Sequence, residues 1–418
     1  MEDKELKIVK TALAMPEGMQ RRTFLKLASA AGISMAMTPA MTRLAEAADI
    51  MRPTLASTSY NRAIDFFRIW EDGFNGANGA FETDPKYYYS EFDISRTLSQ
   101  IRSMPAAGVK GLAGVITPTG AIPQVSRLCA ENDIMFTPTW DTPDWWSPVD
   151  EGDHVVSLVT LDSVRDGYEV AKLLFDSIGG EGKVVHIKGL PAPTDTYRTL
   201  GLMKAAEEYP GIEIVGGLRA DWDRDKARQV MLSMFAAHPD MKAVFAQSDD
   251  MAFGVISALR ERGMKDVKVA GVVGLPEGIQ EVQKGDYFVA TATNVPTYMA
   301  GLCSTLLFDA INGWKPTLGE RMLYVGSVMV TQENAQTMLD KIYGEGDSFD
   351  WAKMSRTLNP EDWDPQYEVR SIDPDQLYAS AETERKLNPV YDGAAAAGEF
   401  SKVDALYAEH YKTGPLKS

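Results

Sequence analysis

Short apolar runs alternate with longer, periodically apolar stretches along most of the chain from about residue 50. The runs have the length of buried β-strands, whereas the longer stretches carry apolar residues every three to four positions, as amphipathic helices do. Alternation of this kind predicts right-handed βαβ crossovers and a parallel sheet. In the first part of the chain the pattern predicts strands at 53–58, 87–92, 111–116 and 134–139 and helices at 64–78, 94–107 and 121–131.

The same alternation restarts after a loop with three tryptophans at 140–153 and a connecting segment at 154–161. Two α/β units of similar size predict two doubly wound lobes with a seam between them. The second unit is predicted to hold strands at 183–188, 212–217, 243–247, 267–272 and 287–293, helices at 163–178, 197–208, 223–237, 249–262 and 276–283, a last helix at 296–312 and a strand at 323–330.

The most informative stretch is a strand, a polar tip and a helix at 240–262. Its apolar run, Ala243–Ala246, is too short for a helix and predicts a strand that is buried on both faces. Ser248 stands where the strand hands over to the helix, and Asp249 is predicted to be the helix N-cap. In open parallel sheets ligands bind beyond the carboxyl ends of the strands, so this tip is a candidate binding position.

Residues 1–47 have the pattern of an export signal and are predicted not to belong to the fold. An arginine pair at 21–22 is followed by Phe-Leu-Lys, a weakly apolar run at 27–41 and Ala-Glu-Ala at 45–47. The segment resembles a twin-arginine signal peptide; a chance arginine pair before a small helix is the alternative. The run is too rich in Ala, Gly, Ser and Thr for a membrane span, so we expect no membrane insertion of the mature chain.

The last part of the chain, 341–418, departs from the α/β pattern. It contains three X-Pro turn signals, several aromatic residues and an alanine-rich patch at 394–397. We expect a turn-rich extension with one or two short helices that either wraps a lobe or mediates assembly.

Composition and charge exclude several classes of partner. The 418 residues are 44% hydrophobic and carry a formal net charge of −17. Nucleic acids and anionic membrane surfaces attract basic proteins, so neither is expected to be a partner. Cys129 and Cys303 lie in apolar, helix-like patterns, which favours buried thiols but leaves a disulfide between them open.

Sequence signals of catalysis or metal binding are weak. The segment 179–183 precedes a strand instead of following one, so it predicts a turn and not a phosphate loop. The aspartates at 221–225 lack the glycine and glutamate of a calcium loop. We therefore expect no metal, no cofactor and no catalytic residues. The histidines are scattered without metal-ligand spacing: His154, His186, His238 and His410.

Several motifs, in the right order and spacing, resemble one known family. The strongest is HPDMKAVFAQSDDMAFGVISAL at 238–259. Weaker ones lie at 66–73, 114–118, 197–202, 220–227 and 330–335. Over about 50–335 the chain resembles periplasmic sugar-binding proteins of the ribose- and galactose-binding type, the type I solute-binding subunits of ABC transporters.

The resemblance implies two Rossmann-like doubly wound lobes that close on a ligand about a three-crossing hinge. The crossings are expected near 155–162, 293–296 and 322–328. The implied division is a signal peptide at 1–47, an N-terminal lobe at 48–156 and 295–322, a C-terminal lobe at 157–294 and 323–340, and a C-terminal extension at 341–418.

The resemblance also implies a ligand site between the lobes. Arg198 matches a family arginine whose planar fork binds ligand hydroxyls, although a surface ion pair is the alternative. Trp222 matches an aromatic that stacks on the ligand, although it could instead cap the sheet edge. A one-residue shift leaves open whether Trp140 or Asp141 fills one acceptor position. The implied ligand-binding residues are Tyr60, Asn61, Phe66, Phe67, Thr117, Trp140, Asp141, Arg198, Trp222, Ser248 and Asn294.

One departure from the family pattern concerns the turn at 271–274. The family commonly has Gly-x-Asp-Gly there, whereas this chain reads Gly-Val-Val-Gly. With Trp140, Trp145 and Trp146 nearby in sequence, we expect a pocket that is more aromatic and less acidic than a pyranose site, which leaves the solute unidentified.

These observations predict a monomeric, non-enzymatic periplasmic protein, exported by the twin-arginine pathway. It would deliver a sugar-like solute to an ABC transporter permease. A periplasmic sensor module that presents its ligand to a receptor kinase or chemoreceptor would share the pocket. A twin-arginine-exported enzyme is the third alternative, because that pathway often carries folded, cofactor-containing proteins.

Overall fold

Seven alternating elements open the fold, as the apolar pattern predicts. The computed structural model describes residues 50–344, 346, 348–377 and 388–417, so the predicted signal segment lies outside the described residues. The opening elements are β1 Thr54–Ser59, α1 Asp65–Ala80, β2 Asp84–Tyr89, α2 Ile94–Ser103, β3 Val109–Gly114, α3 Ile122–Glu131 and β4 Met135–Pro138.

The second α/β unit follows after the tryptophan loop. Its elements are β5 Leu158–Leu161, α4 Ser163–Ser177, β6 Glu181–Lys188, α5 Pro193–Glu208, β7 Gly211–Arg219, α6 Arg224–Ala237, β8 Met241–Ala246, α7 Asp249–Arg262, β9 Lys268–Val273, α8 Pro276–Lys284, β10 Phe288–Thr293, α9 Pro296–Ile311, β11 Met322–Val325, β12 Val328–Val330 and α10 Ala335–Ile342.

Two sheets define the two lobes. The N-terminal lobe is built on a parallel sheet of order β2-β1-β3-β4, covered by α1–α3 and by α9, which returns from the other half of the chain. The C-terminal lobe is built on a sheet of order β12-β10-β9-β8-β6-β7, in which only β12 is antiparallel to its neighbour. The doubly wound α/β architecture predicted from the alternation is therefore confirmed.

Acidic and hydroxyl side chains start several helices. Asp93 accepts hydrogen bonds from backbone N–H groups of α2, and Asp162 and Asp223 do the same for α4 and α6. The predicted N-cap of α7 is wrong by one residue: Ser248 is the cap, and its Oγ accepts from the Met251 N–H at 3.3 Å. Asp249, the first helical residue, is thereby freed for contacts with other segments.

The second strand was predicted three residues too far along the chain. The tyrosines at 87–89 favour a strand, as predicted. The strand β2 also includes Pro85, which a central strand would not tolerate, because β2 is an edge strand that pairs only with β1. The strand ends at Tyr89, and Glu91 and Phe92 follow with positive φ angles of 50° and 59°.

A third, small sheet of order β13-β11-β5 lies where the chain passes between the lobes. The predicted connecting segment contains β5, and the predicted strand at 323–330 is two strands. Gly326 and Ser327 separate β11, which pairs with β5, from β12, which pairs with β10 of the C-terminal lobe. The remaining passage runs from β10 to α9 through Val295, which has a φ of 39°.

The extension is more structured than predicted. Its elements are α11 Trp351–Met354, β13 Val369–Ser371, α12 Pro374–Leu377, α13 Val390–Ala396 and α14 Glu399–His410. β13 pairs antiparallel with β11 and completes the small sheet. Of the two alternatives, the one in which the extension wraps a lobe agrees with these contacts.

The extension also adds a fourth passage between the lobes. Tyr343 still belongs to the C-terminal lobe, because its hydroxyl donates to the Gly274 carbonyl at 2.9 Å. Trp351 packs on the N-terminal lobe, where a Cβ at Gly301 would lie 2.0 Å from the indole. Tyr298 of α9 donates to the Pro365 carbonyl at 2.8 Å.

Both cysteines are buried free thiols, as the sequence pattern favoured: Cys129 and Cys303 form no disulfide. Across the described ranges, no helix is long and apolar enough to cross a membrane, and no group of His, Cys, Asp or Glu side chains is arranged to hold a metal ion.

Candidate functional site

A cavity of about 780 Å³ lies between the two lobes, at the carboxyl ends of their strands. This volume is typical of sites for small ligands. Ten of the eleven residues predicted to bind ligand line it. The lining is Tyr60, Asn61, Ala63, Ile64, Phe66, Phe67, Phe92, Val115, Thr117, Trp140, Asp141, Leu190, Thr194, Arg198, Asp221, Trp222, Asp223, Lys226, Ser248, Asp249, Asp250, Val273 and Leu275.

The wall from the N-terminal lobe, called here the ring wall, carries the aromatic side chains. Tyr60 follows β1 and stacks on Phe92 with ring centroids 4.5 Å apart, and its edge meets Phe67 at 5.1 Å. Phe66 meets Trp140 in a T-shaped contact at 4.6 Å. Rings that fix one another in this way form a rigid apolar surface.

Burial raises the pKa of Tyr60 to about 12, so its phenol is neutral and can both donate and accept. Trp140 follows β4 with a φ of 71°, a conformation uncommon for a residue with a side chain. Strained backbone at the tip of a strand is typical of functional sites, and here it positions the indole at the cavity.

The wall from the C-terminal lobe, called here the charged wall, is centred on Arg198. The side chain is 3% exposed. Its Nη1 donates to the Gln247 carbonyl at 2.6 Å and its Nη2 to Asn294 Oδ1 at 3.2 Å. Nε has no hydrogen-bond partner within the part of the chain that the structure describes. Burial lowers the pKa of Arg198, yet a guanidinium stays protonated at any physiological pH.

Both hydrogen-bond partners of Arg198 are neutral oxygens, and the side chain is buried, so the predicted alternative of a surface ion pair does not hold. A buried cation is costly unless other groups compensate its charge. Four aspartates favour the charged form of Arg198: Asp141, Asp166, Asp195 and Asp249. The residue also lines the cavity.

Trp222 lies beside Arg198, with the guanidinium carbon 5.9 Å from the ring centroid. A turn with positive φ at Asp221 (55°) and Trp222 (64°) directs the indole inward. The absence of a side chain at Gly189 makes room for it, because a Cβ there would lie 2.0 Å from two indole atoms. Trp222 therefore lines the cavity instead of capping the sheet edge.

Gln247, a buried residue, connects Arg198 with the glycine that makes room for Trp222. The Gln247 side-chain oxygen accepts from the Gly189 N–H at 3.0 Å, and its nitrogen donates to the Asp195 carbonyl and to Thr199, each at 3.0 Å. Since the Gln247 carbonyl also accepts from Arg198, one residue fixes both the arginine and the glycine beneath Trp222. Nothing in the local sequence marked Gln247.

Asp141 joins the two walls. Its Oδ1 accepts from the Thr194 backbone N–H at 2.8 Å and from the Thr194 hydroxyl at 2.6 Å. Burial raises the pKa of Asp141, while the Thr194 bonds act in the opposite direction. Both candidates for this acceptor position, Asp141 and Trp140, line the cavity.

The pocket is not as poor in carboxylates as predicted. The turn at 271–274 indeed offers Val273, which has a φ of 133°, in place of an aspartate. Asp249 nevertheless lies at the lining, where its oxygens accept from the Leu275 N–H at 2.8 Å and the Thr291 hydroxyl at 2.7 Å. Burial raises the pKa of Asp249 to about 7. The other carboxylates of the lining are Asp141, Asp221, Asp223 and Asp250.

Three residues named in the prediction lie elsewhere. Asn294 is fully buried behind Arg198 and is not part of the lining. Trp146 is buried in the core of the N-terminal lobe, and Trp145 is 42% exposed. Of the three tryptophans in this loop, Trp140 alone is in the described lining.

Sequence reasoning missed Phe92, Thr194 and Lys226, all of which line the cavity. Phe92 follows the carboxyl end of β2, the position where ligands are expected, but the predicted strand was too late and placed it inside the sheet. Thr194 gave no local signal, because its partner Asp141 lies 53 residues away.

Residues 56–315 match the model of the periplasmic binding protein domain, which is more than half of the chain. The chain belongs to the periplasmic binding protein family. The xylitol-binding protein of Mycolicibacterium smegmatis is 27% identical over 207 residues, and the ribose import binding protein RbsB of Salmonella typhimurium is 34% identical over 208. The first match covers 48% of this chain and 56% of the xylitol-binding protein. The second covers 50% of this chain and 67% of the ribose import binding protein. The chain thus spans about half the length of the first of these relatives.

A solved ABC-transporter solute-binding protein from Mycobacterium smegmatis with bound glycerol is 26% identical. The TM-score is 0.62, and the match covers 69% of this chain and 97% of that one. The periplasmic binding protein fold is thus found in the structure, in the family model and in a solved relative. The family match ends before the extension begins.

Proposed function

We propose that this periplasmic binding protein captures a small polyhydroxylated solute, a sugar or polyol, in the cleft between its lobes and delivers it to an ABC transporter permease. One observation carries the proposal: a wall of aromatic rings faces a buried arginine that has an unpaired Nε. Rings pack against the C–H faces of a sugar, while a guanidinium donates to its oxygens.

The remaining polar groups of the lining suit hydroxyl groups, which both donate and accept. Asn61, Thr117 and the Tyr60 phenol can do either, and Asp141 supplies an acceptor. The relatives named for xylitol and ribose, and the solved relative with glycerol, carry ligands of this chemical class. The resemblance of residues 1–47 to a twin-arginine signal supports export to the periplasm, where such proteins act.

A thermal-shift screen tests the ligand class directly. A ligand at about a hundred times its dissociation constant adds about 2.7 kcal/mol of stability, which is easily detected. We expect a raised melting temperature with at least one of D-ribose, D-allose, xylitol and myo-inositol. If sugars and polyols fail throughout while another solute class stabilises the protein, the proposed ligand class is wrong.

Export and transport need separate measurements. Replacing Arg21 and Arg22 by lysine should leave the protein in the cytoplasm, as fractionation of cells would show. Stimulation of the ATPase of a permease complex by the liganded protein tests delivery. Chemical turnover of a bound sugar would instead favour an enzyme.

A further inference from the structure

Two hydrogen bonds join the lobes across the cleft. Asp141 follows β4 of the N-terminal lobe, and Thr194 is the second residue of α5 in the C-terminal lobe. Asp141 Oδ1 accepts from the Thr194 N–H at 2.8 Å and from the Thr194 hydroxyl at 2.6 Å. Thr194 is only 5% exposed, so water competes little for these bonds. Because both donors and the acceptor belong to the protein, the pair can form without a solute.

Each partner is held by its own lobe. Trp140, the residue before Asp141, packs on Phe66 and Trp70 of α1, and β4 pairs with β3 in the sheet of the N-terminal lobe. Thr194 begins a helix that packs against α4 and β7 of the C-terminal lobe. A rotation that opens the cleft would therefore separate Asp141 from Thr194 and break both bonds.

Helix α5 lacks a side-chain cap of its own. Its N-cap position is Ala192, whose side chain cannot accept a hydrogen bond, and its first helical residue, Pro193, has no N–H. An N-cap side chain normally accepts from the N–H of the second or third helical residue. Asp141 supplies that acceptor from the opposite lobe, and a negative charge is favourable at the positive end of a helix.

The capped turn also carries the cavity arginine. Arg198 lies four residues after Thr194, so the two side chains are on the same face of α5, and both line the cavity. Asp141 is among the carboxylates that favour the charged form of Arg198. One carboxylate of the N-terminal lobe thus holds the helical turn from which Arg198 reaches the cavity.

We propose that Asp141 and Thr194 form an interlobe cap, which favours the lobe arrangement seen here, called the closed arrangement, and positions Arg198 opposite the ring wall. The effect on binding rests on the proposed function. The cap favours closing by the same factor with and without a solute. Since apparent affinity scales with the fraction of molecules in the binding arrangement, losing the cap weakens binding even where no ligand contact is removed.

Four variants test the cap. T194V removes the hydroxyl donor and nearly keeps the shape of the side chain, whereas T194S keeps both donors. D141A removes the acceptor. T196V is the matched control: it is the same change in the first turn of the same helix, on an exposed residue whose hydroxyl bonds to the Ala192 carbonyl within its own lobe.

The distance between the lobes is the main readout. Spin labels at R102C and K265C, which are exposed positions on the N-terminal and C-terminal lobes, would report it by electron–electron double resonance. Cys129 and Cys303 are buried, so the labels are expected to react with the introduced thiols.

Without solute, we expect part of the unaltered protein at the distance of the closed arrangement. T194V should lower the ratio of this population to the rest about fivefold, and D141A about tenfold. T194V should change nothing further once Asp141 is alanine, because the hydroxyl has then lost its acceptor. T194S and T196V should leave the ratio unaltered.

With solute, the same factor should appear in the affinity. For whichever of D-ribose, D-allose, xylitol and myo-inositol binds the unaltered protein, T194V should weaken binding about fivefold by calorimetry. T194S and T196V should bind like the unaltered protein.

The interlobe cap is refuted if T194V folds and leaves the distances without solute unaltered. Weaker binding in such a variant would mean that Thr194 contacts the solute directly. The cap is also refuted if T194V and D141A shift the populations by independent factors. If none of the four solutes binds the unaltered protein, the proposed ligand class fails, while the distances without solute still decide whether the cap exists.

Discussion

The two walls of the cleft differ in chemistry although they enclose one cavity. The ring wall presents Tyr60, Phe66, Phe67, Phe92 and Trp140, and Asp141 is the one charged residue that it contributes to the described lining. The charged wall contributes six charged residues to that lining and a single aromatic, Trp222. Shape and contact area therefore come mainly from one lobe, and hydrogen-bond direction mainly from the other.

The difference shows how the two walls are made rigid. The rings support each other by edge and face contacts within one lobe. The charged wall is fixed instead by hydrogen bonds between neighbouring segments, such as those that Arg198 donates to Gln247 and Asn294. Groups that are already held in place lose little entropy on binding, so both walls are preorganised for a ligand.

The largest effect is expected from Arg198→Ala. The change removes the only guanidinium of the described lining and its unpaired donor, so we expect at least about a hundredfold weaker binding by calorimetry. Arg198→Lys keeps the charge but not the planar fork, and should recover only part of the loss. Native affinity in a folded alanine variant would remove Arg198 from the site.

A smaller effect is expected from Gly189→Ala. The added methyl would meet the Trp222 indole at 2.0 Å, so the ring must leave its position, and we expect about tenfold weaker binding. Gly120→Ala is the matched control, since nothing lies within 4 Å of a Cβ there. Crystal structures or tryptophan fluorescence would report whether the indole moves; equal effects of the two changes would contradict the prediction.

On the ring wall, Phe66→Leu should weaken binding only a few-fold, because the remaining rings still cover the ligand. Trp145→Leu, on an exposed tryptophan outside the lining, should leave the affinity unchanged. Dissociation constants for the same solute check both. A loss of affinity in Phe66→Leu as large as that in Arg198→Ala would contradict the prediction that Arg198 contributes more to binding than a single ring.

The last prediction concerns stability instead of ligand binding. The pKa of Asp249 is raised by burial to about 7 in the folded state, above the value of about 3.9 for an unfolded chain. The folded state then binds more protons between about pH 4 and pH 7, so this group lowers the free energy of unfolding as the pH rises through that window. Asp249→Asn should remove this slope, as melting temperatures at pH 4.5 and 7 would show. An identical pH dependence in both proteins would contradict it.

Local sequence pattern was enough to predict the two lobes and the strand tip at Ser248, because strand tips follow from buried apolar runs. The other predicted lining residues, Arg198 and Trp222 among them, were implied by the family resemblance. The start of β2 could not be predicted from local pattern, because Pro85 is tolerated in an edge strand but not in a central one, and only the sheet order reveals which strand is at the edge.

Residues that act through distant partners could not be predicted from local pattern. Gln247 contacts Gly189 across 58 positions, and Asn294 contacts Asp166 across 128. A polar residue before a crossing proline suggests a ligand contact, whereas the side-chain partners of Asn294 lie on two helices that are distant in sequence.

The strand β13, near the end of the chain, forms one edge of the small sheet at the lobe junction. Every residue of the described cleft lining, in contrast, precedes position 276. A growing polypeptide therefore contains every lining residue before it contains the third strand of that junction. A product that ends between α10 and β13, by proteolysis or early termination, would keep both lobe sheets and all the lining residues but only β5 and β11 of the small sheet. In such a fragment the cleft lining would be intact while the junction between the lobes had lost an edge strand.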